Sequence, residues 1–255
     1  MGMKSAALIV LILAFVSGYG VQTPAQTYYT SLPRELNIRS LIDSEYSDQL
    51  ERIVMVSSEP SQLHIYDPIT ENDVTVDLPL PPNCVSVGPN GIYAAVGHDA
   101  FISYVNLQNA TVEKMLDVSA DVFDIVLAGN GYVYAMPRRD QWENIRCIEI
   151  AKNIETLHSG NSVYAGTQMK LHPAGKAIYG ADNGISPSDI EKYSIENGTA
   201  KYLYDSPYHG DYSMGGDLWI SEDGLRIFTK SGNAFKSSEV QDQDMKYNGS
   251  LKEVG

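Results

Sequence analysis

Short hydrophobic runs separated by turn residues recur about every 40–45 residues along this chain, which predicts an all-β fold, a β-propeller of four-stranded antiparallel blades. Three observations carry that expectation. Tight-turn strings repeat: Gly88-Pro89-Asn90-Gly91, Gly129-Asn130-Gly131, Pro173-Ala174-Gly175 and Glu222-Asp223-Gly224, with final glycines 40, 44 and 49 residues apart. A second register repeats independently. Leu63-His64-Ile65-Tyr66-Asp67, Ile102-Ser103-Tyr104-Val105-Asn106, Ile145-Arg146-Cys147-Ile148-Glu149 and Ile190-Glu191-Lys192-Tyr193-Ser194 start 39, 43 and 45 residues apart. Finally, 17 Tyr against 5 Phe suits half-exposed strand positions better than a helical core, and hardly a helical period occurs anywhere.

Taken in order, each glycine turn joins a first strand to a second. The first strands are expected at Val85–Val87, Val122–Leu127, Gln168–Leu171 and Leu218–Ile220. The second strands are expected at Ile92–Val96, Tyr132–Ala135, Ala177–Gly180 and Leu225–Thr229. The glycine is required because a left-handed turn residue is costly for any side chain with a Cβ. The second register supplies the third strand, and polar turns such as Asn197-Gly198 lead into a fourth, for example Val112–Leu116 or Lys201–Tyr204. Five units result, at about 38–80, 83–118, 121–158, 166–206 and 215–250, within a propeller domain of 38–255. The first has Asp43–Asp48 as a looser first turn before Arg52–Ser57. A single blade cannot bury its two faces, and radial stacking solves that. A large sandwich or a β-solenoid is the alternative.

The strings Arg52-Ile53-Val54-Met55-Val56-Ser57, Leu63-His64-Ile65-Tyr66-Asp67-Pro68 and Ser221-Glu222-Asp223-Gly224-Leu225-Arg226-Ile227 resemble the repeat units of secreted bacterial propellers of the YVTN/WD-like superfamily. The resemblance covers roughly 38–250, with degenerate motifs. It implies a scaffold that usually closes with seven blades, so five units are expected either to close as a small ring or to be part of a longer, incomplete ring that is unstable alone.

Residues 1–20 read as a signal peptide: Lys4, an apolar run of eleven residues from Ala6 to Val16, then Gly18-Tyr19-Gly20 as small residues for cleavage. A polar lead-in follows at 21–37. No later stretch is long enough to span a membrane. The expected location is therefore extracellular or periplasmic. The formal charge of −14, from 18 Lys+Arg against 32 Asp+Glu, argues against nucleic acid and anionic membranes as partners. Cys84 and Cys147 lie inside strand-like runs, where they read as small buried hydrophobes or as one disulfide.

In a propeller, second-to-third-strand loops and blade connections share one face. That placement gathers Glu59, His98-Asp99, Arg138-Arg139-Asp140-Gln141-Trp142, Asp182-Asn183-Gly184 and the connection Tyr208–Tyr212. The candidate ligand face is His98, Asp99, Arg138, Asp140, Trp142, Asp182, Asn183, His209 and Asp211. Such side chains suit a carbohydrate or protein ligand, or alternatively only stabilise their own turns. Asp99, Asp182, Asn183 and Asp211 are also hard oxygen donors suited to Ca²⁺, although 182–189 lacks the spacing of an EF-hand. Otherwise no cofactor or metal is expected. No GxSxG elbow or spaced His motif occurs, so no catalytic residue is assigned. The expectation is a secreted or surface binding scaffold; the alternative is a lactonase-, hydrolase- or lyase-like propeller enzyme.

Overall fold

The computed structural model describes Leu36 and residues 38–251. The signal peptide expected at 1–20 lies outside the described residues, as does the lead-in at 21–37 apart from Leu36. The first sheet is β1 (Leu41–Ser47), β2 (Arg52–Ser58), β3 (Ser61–Tyr66) and β4 (Asp73–Asp77), in that order. Then come β5 (Cys84–Val87), β6 (Tyr93–Gly97), β7 (Asp99–Asn106) and β8 (Thr111–Leu127), followed by β9 (Tyr132–Pro137), β11 (Arg146–Glu149) and β12 (Ile154–Leu157). A two-stranded ribbon, β10 (Trp142–Glu143) with β13 (Val163–Tyr164), projects from this third unit. The fourth sheet is β14 (Gln168–Leu171), β15 (Ala177–Ala181), β16 (Ile190–Ser194) and β17 (Lys201–Asp205). The fifth is β18 (Leu218–Ile220), β19 (Arg226–Thr229), β20 (Asn233–Lys236) and β21 (Tyr247–Ser250). All sheet pairings are antiparallel.

Two elements differ from the sequence reading. The stretch expected as a loose turn at 43–48 is largely strand β1, and the turn falls at 48–51 instead. Its acidic residues belong in a strand because they reach the next sheet: Asp43 Oδ2 accepts the Val85 N–H at 2.8 Å and Glu45 Oε2 the Val87 N–H at 2.7 Å. The boundary expected between 118 and 121 is no break either. β8 runs for 17 residues, its first half pairing with β7 and its second with β9, so the second and third units form one seven-stranded sheet. Residues 117–121 contain no Gly or Pro to interrupt the strand.

The period-2 alternation of each strand sends one set of side chains to each neighbouring sheet. Val54, Val56, Leu63 and Ile65 meet Val85, Ala94, Val96 and Val105 in one buried cluster. Ala95, Ile102 and Leu116 meet Ile125, Val133 and Ala135 in the next. Tyr134, Met136 and Cys147 meet Met169, Ile178 and Tyr193 in a third, and Tyr179, Ala181 and Ile190 meet Leu218, Ile227 and Phe235 in a fourth. Four clusters thus weld five units. Each fully buried Val, Leu or Ile contributes ~1.5–3 kcal/mol, so these clusters outweigh any single polar contact.

The first strand of each unit is innermost, and β1, β5, β8, β14 and β18 run side by side in sequence. Among the described residues no comparable row joins β18 to β1. Side chains stand in for the backbone ladder these rows lack. Besides Asp43 and Glu45, Ser86 Oγ accepts the Leu127 N–H at 3.1 Å and Asp124 Oδ2 the Met169 N–H at 2.5 Å. At the centre, Lys170 Nζ on β14 reaches Glu45 Oε1 on β1 at 3.2 Å, between strands three units apart. Cys84 and Cys147 are separate buried thiols. Burial pushes the Cys147 thiol up to about 11, as expected for an inert packing residue.

Candidate functional site

Where β8 passes from one unit to the next, the loop after β9 folds back over it and leaves a cleft of about 200 Å³. Asp99, Asp121, Arg138, Arg139, Asp140 and Arg146 line it. Three of these, Asp99, Arg138 and Asp140, are residues the sequence assigns to the ligand face, and the fold brings them together. Asp121 anchors the arginines: Arg139 Nη2 lies 2.9 Å and Arg138 Nε 3.4 Å from Asp121 Oδ2, and the other carboxylate oxygen accepts from Asn83 Nδ2 at 3.1 Å. Arg138 also lies over the Phe123 ring, 5.4 Å from its centroid. Arg139 remains 72% exposed, with donors free to reach a ligand.

The backbone here is shaped by the site. Asp140 and Gln141 are consecutive left-handed residues, with φ of 80° and 62°. Ala100 has φ 62° at a bulge between Asp99 and Phe101. Such conformations cost of order 1 kcal/mol each for residues with a Cβ, and bulges re-aim neighbouring side chains. Asp99 stands directly across the strand pair from Asp121, a like-charge placement that weakens a sheet. On the cleft wall, Arg146 Nη2 pairs with Glu143 Oε2 at 2.8 Å, while its buried Nε makes no hydrogen bond and lies 3.8 Å from Glu155 Oε1.

The other assigned residues fall elsewhere. His98 is fully buried: its Nδ1–H donates to the Pro81 carbonyl at 3.0 Å and Nε2 meets Ser103 Oγ at 2.8 Å. Burial holds its ring below the usual histidine range, so it serves as a neutral tie between β7 and the segment that leads into β5. Trp142 is 55% exposed on the ribbon, edge-on to Tyr164 at 5.5 Å. Asp182 Oδ1 accepts the Asp189 N–H at 2.6 Å, and burial raises its carboxyl to about 6. Asn183 joins the fourth unit to the connection that follows, accepting the Gly216 N–H at 2.7 Å and donating to the Gly216 carbonyl at 3.0 Å. His209 lies 3.8 Å from Asp189, and Asp211 accepts the His209 N–H at 3.3 Å. Asp182, His209 and Asp211 gather around Asp189, while Asn183 bonds to Gly166 and Gly216 instead. Among the described residues no group of three or more His, Cys, Asp or Glu is placed to hold a metal ion.

Sequence reasoning missed Asp121 and Arg146, because each lies inside a strand with no turn signal beside it. It also missed a relay in the first sheet, buried at its serine end and exposed at its aspartate. Ser57 Oγ lies 3.0 Å from His64 Nε2, and His64 Nδ1 lies 2.8 Å from Asp73 Oδ2. The spacing is that of a nucleophile, base and orienting acid. Ser57, however, is 1% exposed and its hydroxyl also reaches the Pro60 carbonyl at 2.8 Å. No substrate reaches such a hydroxyl, so the relay ties β2, β3 and β4 together.

No protein-family model and no curated protein sequence matches the chain. Solved structures do. Hydrazine synthase of Kuenenia stuttgartiensis matches with a TM-score of 0.62 at 15% identity, over 83% of this chain and 60% of that one. A functionally unknown protein from Desulfotomaculum acetoxidans matches with a TM-score of 0.65 at 15% identity, over 84% and 70%. The β-propeller domain of Cps50 (Swd1) from Myceliophteria thermophila matches with a TM-score of 0.64 at 10% identity, over 84% and 73%. The fold is a β-propeller. At these identities the likeness speaks for architecture alone. The chain spans about three-fifths of the length of the hydrazine synthase chain it matches. Among the described residues no helix is long and apolar enough to cross a membrane.

Proposed function

We propose that this propeller is an exported binding scaffold, without chemistry of its own, that takes a polar ligand in the cleft beside β8. The observation that carries the reading is the convergence of Asp99, Arg138 and Asp140, which are up to 41 positions apart in the chain, in one concave site. Exposed charged donors and acceptors in a concavity are what recognition of a polar molecule requires. Export rests on the charge and apolar run of residues 1–20.

The test is a ligand-observed NMR screen of sugars, amino acids and short peptides against the purified chain. The Asp99→Asn/Arg138→Gln double variant is the control. The reading expects hits that vanish in the variant. Hits that persist unchanged in it, or a screen without hits, would sink the cleft as a binding site. Fusing residues 1–25 to a reporter enzyme checks export, and a reporter retained in the cytoplasm would remove that part.

A further inference from the structure

We infer that the cleft beside β8 is built for a small zwitterion carrying an ammonium and a carboxylate, as an α-amino acid does. The inference rests on the binding reading above and names its ligand class.

Size is the first constraint. About 200 Å³ lies below the ~300–1,000 Å³ usual for larger organic ligands, so the occupant is small. Charge bookkeeping inside the cleft is the second. Arg138 and Arg139 share the single carboxylate of Asp121, which leaves one guanidinium in excess at that wall. Arg146 is already matched by Glu143. Among the described residues Asp99 and Asp140 have no ion-pair partner, and both are exposed. The site therefore presents an unmet cation and unmet carboxylates side by side. Asp99 faces Asp121, the residue holding both arginines, directly across the β7–β8 pair. This adjacency suits the two charged ends of one small molecule. An ammonium beside Asp99 would also relieve the Asp99–Asp121 repulsion.

Two further features fit a binding role better than a stabilising one. The bulge at Ala100 and the left-handed pair Asp140–Gln141 lie at the two free carboxylates of the cleft lining, at a conformational cost that burial of neither side chain offsets. The whole chain carries a formal charge of −14, so its field opposes a simple anion and leaves a net-neutral zwitterion unaffected.

Titration of the full chain by NMR with L-alanine, L-alanine methyl ester and N-acetyl-L-alanine is the test. Each blocked compound removes one charged hydrogen-bonding pole, and a ~10-fold or greater loss of affinity relative to L-alanine is expected for each. In Arg139→Gln the preference for alanine over its methyl ester should collapse. In Asp99→Asn the preference for alanine over its N-acetyl form should collapse. Both positions are exposed, so neither variant threatens the fold. Equal binding of all three compounds, or alanine binding unchanged in both variants, would overturn the inference. D-Galacturonate or D-glucose binding in place of alanine, with loss in the same variants, would overturn the zwitterion while leaving the cleft as the binding site. Absence of any response to these probes would also overturn the zwitterion, and the broader screen would then judge the binding reading separately.

Discussion

Glu191 shows what a single residue contributes to the pH behaviour of this fold. It lies on β16, 8% exposed, and its Oε2 accepts the Tyr193 hydroxyl at 2.5 Å. Burial, with the nearby Asp182, Asp189 and Asp205 carboxylates, raises its carboxyl from 4.5 to about 8. A raised acid binds its proton more tightly folded than unfolded. Its stabilising effect is therefore complete below pH 4.5 and is lost as pH rises through about 8. Asp182, raised to about 6, acts in the same direction. Glu191→Gln should flatten this decline: its Tm should match or trail the parent at pH 5 and exceed it by several degrees at pH 8.5. Melting curves across pH check this, and an unchanged Tm gap between the two pH values would refute it. Sequence reasoning did not find Glu191, because a Glu between Ile190 and Lys192 reads as an ordinary outward strand residue until the approach of the third unit to the Tyr193 face of β16 is known.

At the scale of elements, two strands depend on close approach. Gly97 ends β6, and a Cβ there would lie 2.6 Å from Val122 Cγ1 and 2.7 Å from Cys84 Sγ. Gly97→Ala forces β5, β6 and β8 apart and should cost ~1–3 kcal/mol in urea denaturation. A cost near zero would show that the inner strands have slack. Between the fourth and fifth sheets, Lys192 Nζ lies 2.7 Å from Asp244 Oδ2 and also donates to the Ser238 carbonyl at 2.7 Å. Tyr179 and Tyr204 both donate to the same carboxylate, at 2.9 and 3.0 Å. Asp244→Asn leaves the ammonium buried without its counter-charge, so a loss of ~3–5 kcal/mol is expected by the same measurement. A loss below ~1 kcal/mol would mean that water or the tyrosines compensate.

For the whole molecule, Lys170 is the central tie. Burial alone would lower its ammonium, but Glu45, Asp124, Asp217 and Asp43 outweigh that and push it up. These four carboxylates come from units one, three and five, so one cation links most of the ring. Asp124 in turn is raised to about 7 by burial, despite Lys170 and the Met169 amide. Lys170→Met leaves buried carboxylates facing one another. Its unfolding should become less cooperative, with the first units separating from the last, because neighbouring blades then communicate only through adjacent interfaces. Fluorescence from Trp142 and Trp219 should report different midpoints in the variant and a single one in the parent. Coincident midpoints in both would show that the hydrophobic interfaces suffice.

The all-β class, the repeat and the expected strand pairs flanking each glycine turn were legible in the sequence, because turn chemistry and strand alternation are local properties. Asp99, Arg138 and Asp140 were legible as loop-face residues for the same reason. Tertiary structure alone decided the rest. β8 runs unbroken from one unit into the next, which seats Asp121 beneath Arg138 and Arg139, and no local pattern marks that position. Packing also encloses His98 between Pro81 and Ser103, while Asp182 serves its own loop and Asn183 ties the fourth unit to the connection that follows. A side chain's role depends on what approaches it through space. Here that is set by the radial order of the sheets, which periodicity implies but does not locate atom by atom.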